Sequence, residues 1–322
     1  MLLEAVNIKG YYNTSKGYVR AVDGCSLKVK EGEIAGIAGE SACGKSTLGK
    51  LLIGYDKPPL KMIEGKVMID GINIYDFPWS KRKSLWGSLV AMIPQYSMNS
   101  LNPTIKISDF IVDAMKEKFQ SKRVSKDEVL KKAGLRFKEL GLSASVLDMY
   151  PFELSGGMKQ RAVIAISTLL NPRLLVADEP TSALDVSTQK LLLELLLYIV
   201  KNKIVGSLIV ISHDIASLRQ ICDQIYIMYA GKIVESSPID EIIDHPFHPY
   251  TKLLLNAVIT IQPEIREQRL KSISGTPPQL VKPPQGCRFF ERCPDAMGKC
   301  KDEEPPSIEV KPGRFVACWL YG

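Results

Sequence analysis

The chain has 322 residues, 45% of them hydrophobic and 24% charged, with 42 Lys/Arg against 35 Asp/Glu and a formal net charge of +7. That length suits one large α/β domain or two modest ones, and the composition excludes intrinsic disorder, a collagen and a coiled coil. The longest uncharged stretch, Ser84 to Ile105, carries Pro94 and Pro103 with Gln95, Asn99 and Asn102, and so cannot be a lipid-spanning helix.

The opening MLLEAVNIKG has Glu4 and no apolar run behind a basic cluster, so a cytosolic protein without a secretory leader is expected. Short β-rich apolar runs then recur at Ile34 to Ala38, Val67 to Ile69, Leu89 to Ile93, Leu174 to Ala177, Leu208 to Ile211 and Ile225 to Met228. Helical patterns fall at Lys126 to Leu140, Met158 to Leu170 and Ser187 to Lys201. Buried strands interleaved with helices predict an α/β fold with a mainly parallel, helix-covered sheet. Lys116 to Lys138 holds nine Lys/Arg against three Asp/Glu and reads as a solvated helix face before it reads as a contact for nucleic acid or lipid.

A composition shift between about Val234 and Asp244 marks a boundary, because nine of the twenty prolines follow residue 262. The chain beyond it reads as irregular and in need of a staple. Four of the seven cysteines, Cys287, Cys293, Cys300 and Cys318, fall there, whereas Cys25, Cys43 and Cys222 are scattered. With no leader expected, the seven cysteines argue against a disulfide framework. The spacing of the four lacks the close C-x-x-C pairs of structural zinc sites but leaves room for a cluster as large as 4Fe-4S; zinc, unligated buried thiols and disulfides stay open.

Gly39-Glu40-Ser41-Ala42-Cys43-Gly44-Lys45-Ser46-Thr47 follows the run Ile34 to Ala38 and precedes a helical pattern. Phosphate oxygens need many short donors, which a glycine-containing turn into a helix N-terminus supplies; Lys45 adds a mobile charge and Ser46 a hydroxyl for Mg²⁺. Leu174 to Glu179 is an apolar strand ending in two acids, placing Asp178 beside the metal and Glu179 where it can polarise an attacking water. Leu154-Ser155-Gly156-Gly157-Met158-Lys159-Gln160-Arg161 opens the helix just upstream.

With that last segment the chain resembles the ATP-binding-cassette ATPases, over roughly Leu2 to Glu235. The resemblance implies a P-loop cassette with antiparallel β and helical subdomains, hydrolysing MgATP. It implies roles for Gln95 as the glutamine sensing metal and membrane partner, for His213 at the γ-phosphate, and for Ser182-Ala183-Leu184-Asp185 as the loop crossing between subunits. Tyr12 takes the place of the aromatic stacking on adenine, with Tyr11 and Tyr18 as alternatives. Ser155, Gly156, Gly157 and Gln160 would face the ATP of a second cassette, since two close head to tail in this family. Relatives usually have glycine where this chain has Ala42; if that position needs φ > 0, alanine costs on the order of 1 kcal/mol.

Ser100-Leu101-Asn102-Pro103, His248-Pro249-Tyr250-Thr251 with Leu253-Leu254, and Gly286 to Pro294 resemble elements of the oligopeptide and dipeptide importer branch. This implies residues 1–238 as the nucleotide-binding domain, with a helical subdomain at about 96–160, and residues 239–322 as that branch's Cys-rich extension. It implies a 4Fe-4S cluster on the four cysteines. It also implies partners: a second cassette subunit, commonly a paralogue, two transmembrane permease subunits and an extracellular solute-binding protein, with no nucleic acid. The expected place is the cytoplasmic face of the membrane, and the cargo peptides, with oligosaccharides, nickel and opines known among relatives. His245 and His248, each followed by proline, read as caps and turns rather than metal ligands. Two rivals fit less well: a soluble cassette acting on nucleic acid or ribosomes would carry a coiled-coil insertion or a second cassette, and this chain has neither; against a non-hydrolysing regulatory cassette, Glu179 and His213 are both present.

Overall fold

The computed structural model describes residues 1–97, 100–119, 125–182, 184–256 and 273–322. Asn99, Lys122, Arg123 and Ala183 lie outside the described residues. The elements in chain order begin with β1 (Leu3–Thr14), β2 (Gly17–Val29), β3 (Ile34–Ala38), α1 (Lys45–Leu52), β4 (Leu60–Ile69), β5 (Ile72–Asn73), α2 (Trp79–Arg82) and β6 (Val90–Ile93). There follow α3 (Ile107–Lys118), α4 (Lys126–Glu139), α5 (Gly156–Ser167), β7 (Leu174–Asp178), α6 (Val186–Lys201), β8 (Ser207–Ile211), α7 (Ile215–Arg219) and β9 (Gln224–Tyr229). The last are β10 (Lys232–Pro238), α8 (Ile239–Asp244), α9 (Pro249–Asn256), α10 (Lys299–Asp302), β11 (Ser307–Lys311) and β12 (Arg314–Ala317).

Two sheets form. The larger runs β11-β12-β10-β9-β3-β8-β7-β6, and its five strands from β9 to β6 are parallel. Its central strands β3, β7 and β8 are buried at every residue, as continuous apolar runs covered on both faces require. Alternation sorts their side chains into two cores: Ile34, Ala38, Leu175, Ala177, Leu208 and Val210 join helices α5 and α6 on one face. Ala35, Ile37, Leu174, Val176, Ile209 and Ile211 pack with α1 and the smaller antiparallel sheet, β2-β1-β4-β5, on the other.

Val67 to Ile69 thus belongs to β4 in the antiparallel sheet and not to the parallel one. The long strands β1 and β2 carry no uninterrupted apolar run, because register shifts at Ala5 to Lys9 and Gly10 to Tyr12 break their two-residue period. The predicted helices hold to within two or three residues: Ser125 caps α4, Ser155 caps α5 and Asp185 caps α6, each accepting a backbone N–H of the first turn.

The tail departs from the irregular chain its prolines suggest. The run Ser-Ile-Glu-Val-Lys alternates with period two and forms β11, which turns at Gly313 into β12. That strand pairs with β10 through Glu235 to Val316 and Ser236 to Phe315, so the tail extends the main sheet. Tyr229 of β9, Tyr250 of α9 and Phe289 form a buried aromatic trio with ring centroids 4.6 to 5.4 Å apart, joining tail to sheet.

Candidate functional site

Strand order puts β3, β8, β7 and β6 side by side and parallel, so the loops leaving their carboxyl ends open along one edge, where open α/β sheets bind ligands. Those loops carry Gly39 to Gly44, Ser212 and His213, Glu179, and Gln95.

The turn after β3 is built around glycine. A Cβ on Gly39 would lie 2.0 Å from the Met228 carbonyl oxygen, and one on Gly44 would lie 2.0 Å from that of Ala21. Both positions exclude any side chain, and both have positive φ, 151° and 109°. Ala42 has φ 63°, so a left-handed conformation that favours glycine is adopted here by alanine. Ser41 and Ala42 are exposed, while Cys43 is buried and its thiol pushed up by burial. Lys45, at the first position of α1 and itself buried, donates from Nζ to the carbonyl oxygens of Gly39 at 2.8 Å and Glu40 at 2.9 Å. Its ammonium is held within the loop by weak partners that a phosphate oxygen can replace.

Ser46 donates its hydroxyl to Asp178 Oδ1 at 3.0 Å. Burial pushes the Asp178 carboxyl above the usual range, the Ser46 hydrogen bond opposing it. The pair converges two oxygen donors beside Lys45, a hard donor set that fits Mg²⁺. Glu179 has φ 48° and is buried, and His213 Nδ1 lies 3.0 Å from each of its carboxylate oxygens. The imidazole is two-thirds exposed, so the pair reaches from a buried carboxylate to an open cleft lined by Thr181, Ser182 and Ser212.

Gln95 is exposed just past β6, with Tyr96 after it at φ 55°. Tyr12 is half-buried against the β-sheet core, its hydroxyl 3.1 Å from Thr47 Oγ1 on α1. Tyr11 instead donates to Asp23 at 2.6 Å, and Tyr18 is exposed. Of the three, Tyr12 stands beside the phosphate turn.

Ser155 and Gly156 are exposed at the N-terminus of α5, whereas Gln160 is buried and donates to the Pro180 carbonyl at 3.3 Å. Gln160 therefore ties α5 to the loop after Glu179 and does not share the exposed helix end. Ser182 N–H donates to the Glu179 carbonyl oxygen, and Asp185 is exposed, its carboxyl held low by hydrogen bonds from Ser187 and Thr188.

Cys287, Cys293, Cys300 and Cys318 line one small cavity with His248 and Phe289, and all seven cysteines are free thiols. Among the described residues no group of three or more His, Cys, Asp or Glu is arranged to hold a metal ion, so the expected cluster on these cysteines has no support from their placement. Burial pushes Cys287 and Cys293 up to about 11. His248 Nδ1 accepts the Tyr250 N–H at 3.0 Å, and His245 N–H donates to Glu241 at the end of α8, so both histidines turn the chain.

The sequence reading missed Arg288 and Arg292. Arg288 reaches Asp23 and the Ala230 carbonyl; Arg292 forms a two-point ion pair with Glu40 of the phosphate turn, at 2.8 and 2.9 Å. Their one signal is the four-residue spacing of arginines beside Cys287 and Cys293.

The family described as ABC transporter matches residues 22–182, and the one described as Oligopeptide/dipeptide transporter, C-terminal region, matches residues 234–300. A dipeptide transport ATP-binding protein from Caldanaerobacter subterraneus is 35% identical over 322 residues, covering 100% of this chain and 97% of the relative. An oligopeptide transport ATP-binding protein from Bacillus subtilis is 36% identical, covering 99% and 97%. The dimeric bacterial ABC transporter cassette MJ0796 superposes with a TM-score of 0.63 at 26% identity, covering 74% of this chain and 99% of that one. No described helix is long and apolar enough to cross a membrane. With a glycine turn, a hydroxyl–carboxylate pair and a Glu–His pair along one sheet edge, and with both family regions in order, the chain belongs to the ABC transporter ATPases of the oligopeptide/dipeptide type.

Proposed function

We propose that this chain is the ATP-hydrolysing subunit of an importer of peptides, working on the cytoplasmic face of the membrane with two permease subunits, a solute-binding protein and a second cassette. The relatives' names support the cargo class. The observation that carries the catalytic reading is the Glu179–His213 contact beside Ser46–Asp178 and Lys45.

In this reading residues 1–238 form the nucleotide-binding domain, with a helical subdomain at about 96–160, and residues 239–322 the extension. The loop N–H groups from Gly39 to Thr47 and the positive end of α1 cradle the phosphates, and Lys45 leaves the Gly39 and Glu40 carbonyls for the β- and γ-oxygens. Ser46 and Asp178, with Gln95, would hold Mg²⁺, which would supply charge neutralisation for the phosphates. Glu179 accepts the proton of the attacking water, and His213 holds that carboxylate and contacts the γ-phosphate. Tyr12 stacks on adenine. Ser155 and Gly156, exposed on α5, and Gly157 serve the partner cassette's ATP, with Ser182 and Asp185 at the junction; Gln160 supports the same helix from inside. A groove of about 930 Å³ lined by Trp79, Trp86, Phe110, Met115 and Leu170, between β6 and α3, supports the contact with a membrane subunit.

Cys287, Cys293, Cys300 and Cys318 line one cavity, and four thiolates without close C-x-x-C pairs are the ligand set on which we base the 4Fe-4S reading over zinc. Iron and acid-labile sulfide after anaerobic purification is the expected result; zinc without iron would refute it. The assembly is tested by capturing Glu179→Gln from native membranes with ATP. Two membrane proteins and a second cassette should accompany it, and recovery of ribosomes or nucleic acid alone would overturn the transport reading.

A further inference from the structure

The C-terminal tail touches the phosphate turn directly. Arg292, next to Cys293 in the sequence, has a side chain 6% exposed and grips both carboxylate oxygens of Glu40. The same guanidinium donates to the Tyr229 hydroxyl at 3.1 Å, sits 5.6 Å from that ring's centroid, and donates from Nε to the Ser274 carbonyl at 2.9 Å. It is thus fixed on three sides. Glu40 is fixed from the tail a second time, because its backbone N–H donates to the Tyr250 hydroxyl at 2.9 Å.

Glu40 is an awkward residue for its place. Its carbonyl and that of Gly39 hold Lys45, so its position governs where the ammonium waits. Its carboxylate is a fixed negative charge within the turn meant to receive a polyanion. Unpaired and partly buried, it would repel each phosphate charge brought near it, and the repulsion would be strong where water is scarce. A planar, two-point partner both cancels that charge and locks the side chain, which a lone lysine would do less well.

We propose that Arg292 is a positioning residue for nucleotide binding: the tail supplies the cation that neutralises Glu40 and sets the phosphate turn. This rests on the reading of Gly39 to Thr47 as the phosphate site. It assigns the extension a part in ATP affinity that is independent of what the four cysteines hold.

The test measures binding of ATP, ADP and AMP, with Mg²⁺, to the full-length chain by calorimetry. Arg292→Met should weaken ATP about tenfold, ADP about threefold and AMP scarcely at all, since the loss follows the phosphate charge. Adding Glu40→Gln to Arg292→Met should restore ATP affinity to within about threefold of the parent, because the stranded anion is gone. An equal loss for all three nucleotides, or a double variant as weak as the single one, would make Arg292 a merely structural brace and overturn the proposal. Parent-like ATP binding in Arg292→Met would do the same. Should that variant fail to fold, Arg292→Lys carries the test: a loss of about threefold, graded with phosphate number and repaired by Glu40→Gln, supports the proposal, and an ungraded loss or none overturns it. Lys45→Ala is run alongside; if it binds ATP as the parent does, the phosphate site itself has been misplaced, which is a different failure from that of Arg292.

Discussion

The phosphate turn and the N-terminus of α5 are both glycine-containing loops that open a helix, yet the molecule treats them in opposite ways. At the turn every reactive group has a partner: Lys45 on two carbonyls, Ser46 on Asp178, Glu40 on Arg292, and two glycines pressed against backbone with no room for a methyl. At α5, Ser155 and Gly156 face solvent, and a Cβ on Gly157 would meet nothing nearer than Thr188 at 3.7 Å. In the two-cassette reading proposed above, this is the division expected of a shared site: each chain keeps a closed cradle and offers an open helix end to its partner.

The largest expected effect sharpens the closed half. Glu179→Gln should lower kcat by about 1,000-fold while ATP binding stays near the parent value, since only the proton acceptor is lost; turnover near the parent rate would move the base elsewhere. Lys45→Ala should weaken ATP binding about 100-fold in calorimetry, through loss of charge-assisted contacts to phosphate. Gly157→Asp breaks the comparison from the open side. Because the site has room, the fold should melt as the parent does and a single chain should bind ATP unchanged, while hydrolysis in the assembled pair falls about 100-fold by placing an anion where a phosphate must dock. A matching loss of ATP binding in the isolated chain would mean that α5 serves its own site.

Two smaller effects concern the frame. Burial holds His248 neutral, its imidazole lowered to about 3. The unfolded chain takes up that proton as pH falls through about 6.5 while the folded chain does not, so stability is lost toward acid, by about 2 kcal/mol at pH 5. His248→Gln should flatten that part of the melting-temperature profile between pH 7 and 5. Ala42→Gly relieves a positive φ at an exposed position and should stabilise by about 1 kcal/mol, a rise of about 2 °C in Tm, with ATP affinity changed least of all.

Much of this was legible in the chain. Fully buried strands read as apolar runs because both faces are covered, and the chemistry sits at their ends, so Lys45, Asp178, Glu179 and His213 are found by following those runs outward. The antiparallel sheet was less legible, since β1 is bulged and its apolar residues slip out of alternation. The tail was least legible of all: prolines hid a strand pair whose partner, β10, lies far back in the sequence. Arg292 and Glu40 are 252 positions apart, and no local pattern announces an ion pair of that kind.

The pairing of β12 with β10 also bears on how the protein is made. A ribosome releases β10 long before Arg314 to Ala317 exist, so through that interval the main sheet ends in an unpaired edge. Nascent or truncated chains therefore expose a strand ready to join another chain. Cutting before Ser307 should make the chain self-associate as concentration rises, while leaving the phosphate turn on β3, two strands in from β10, intact.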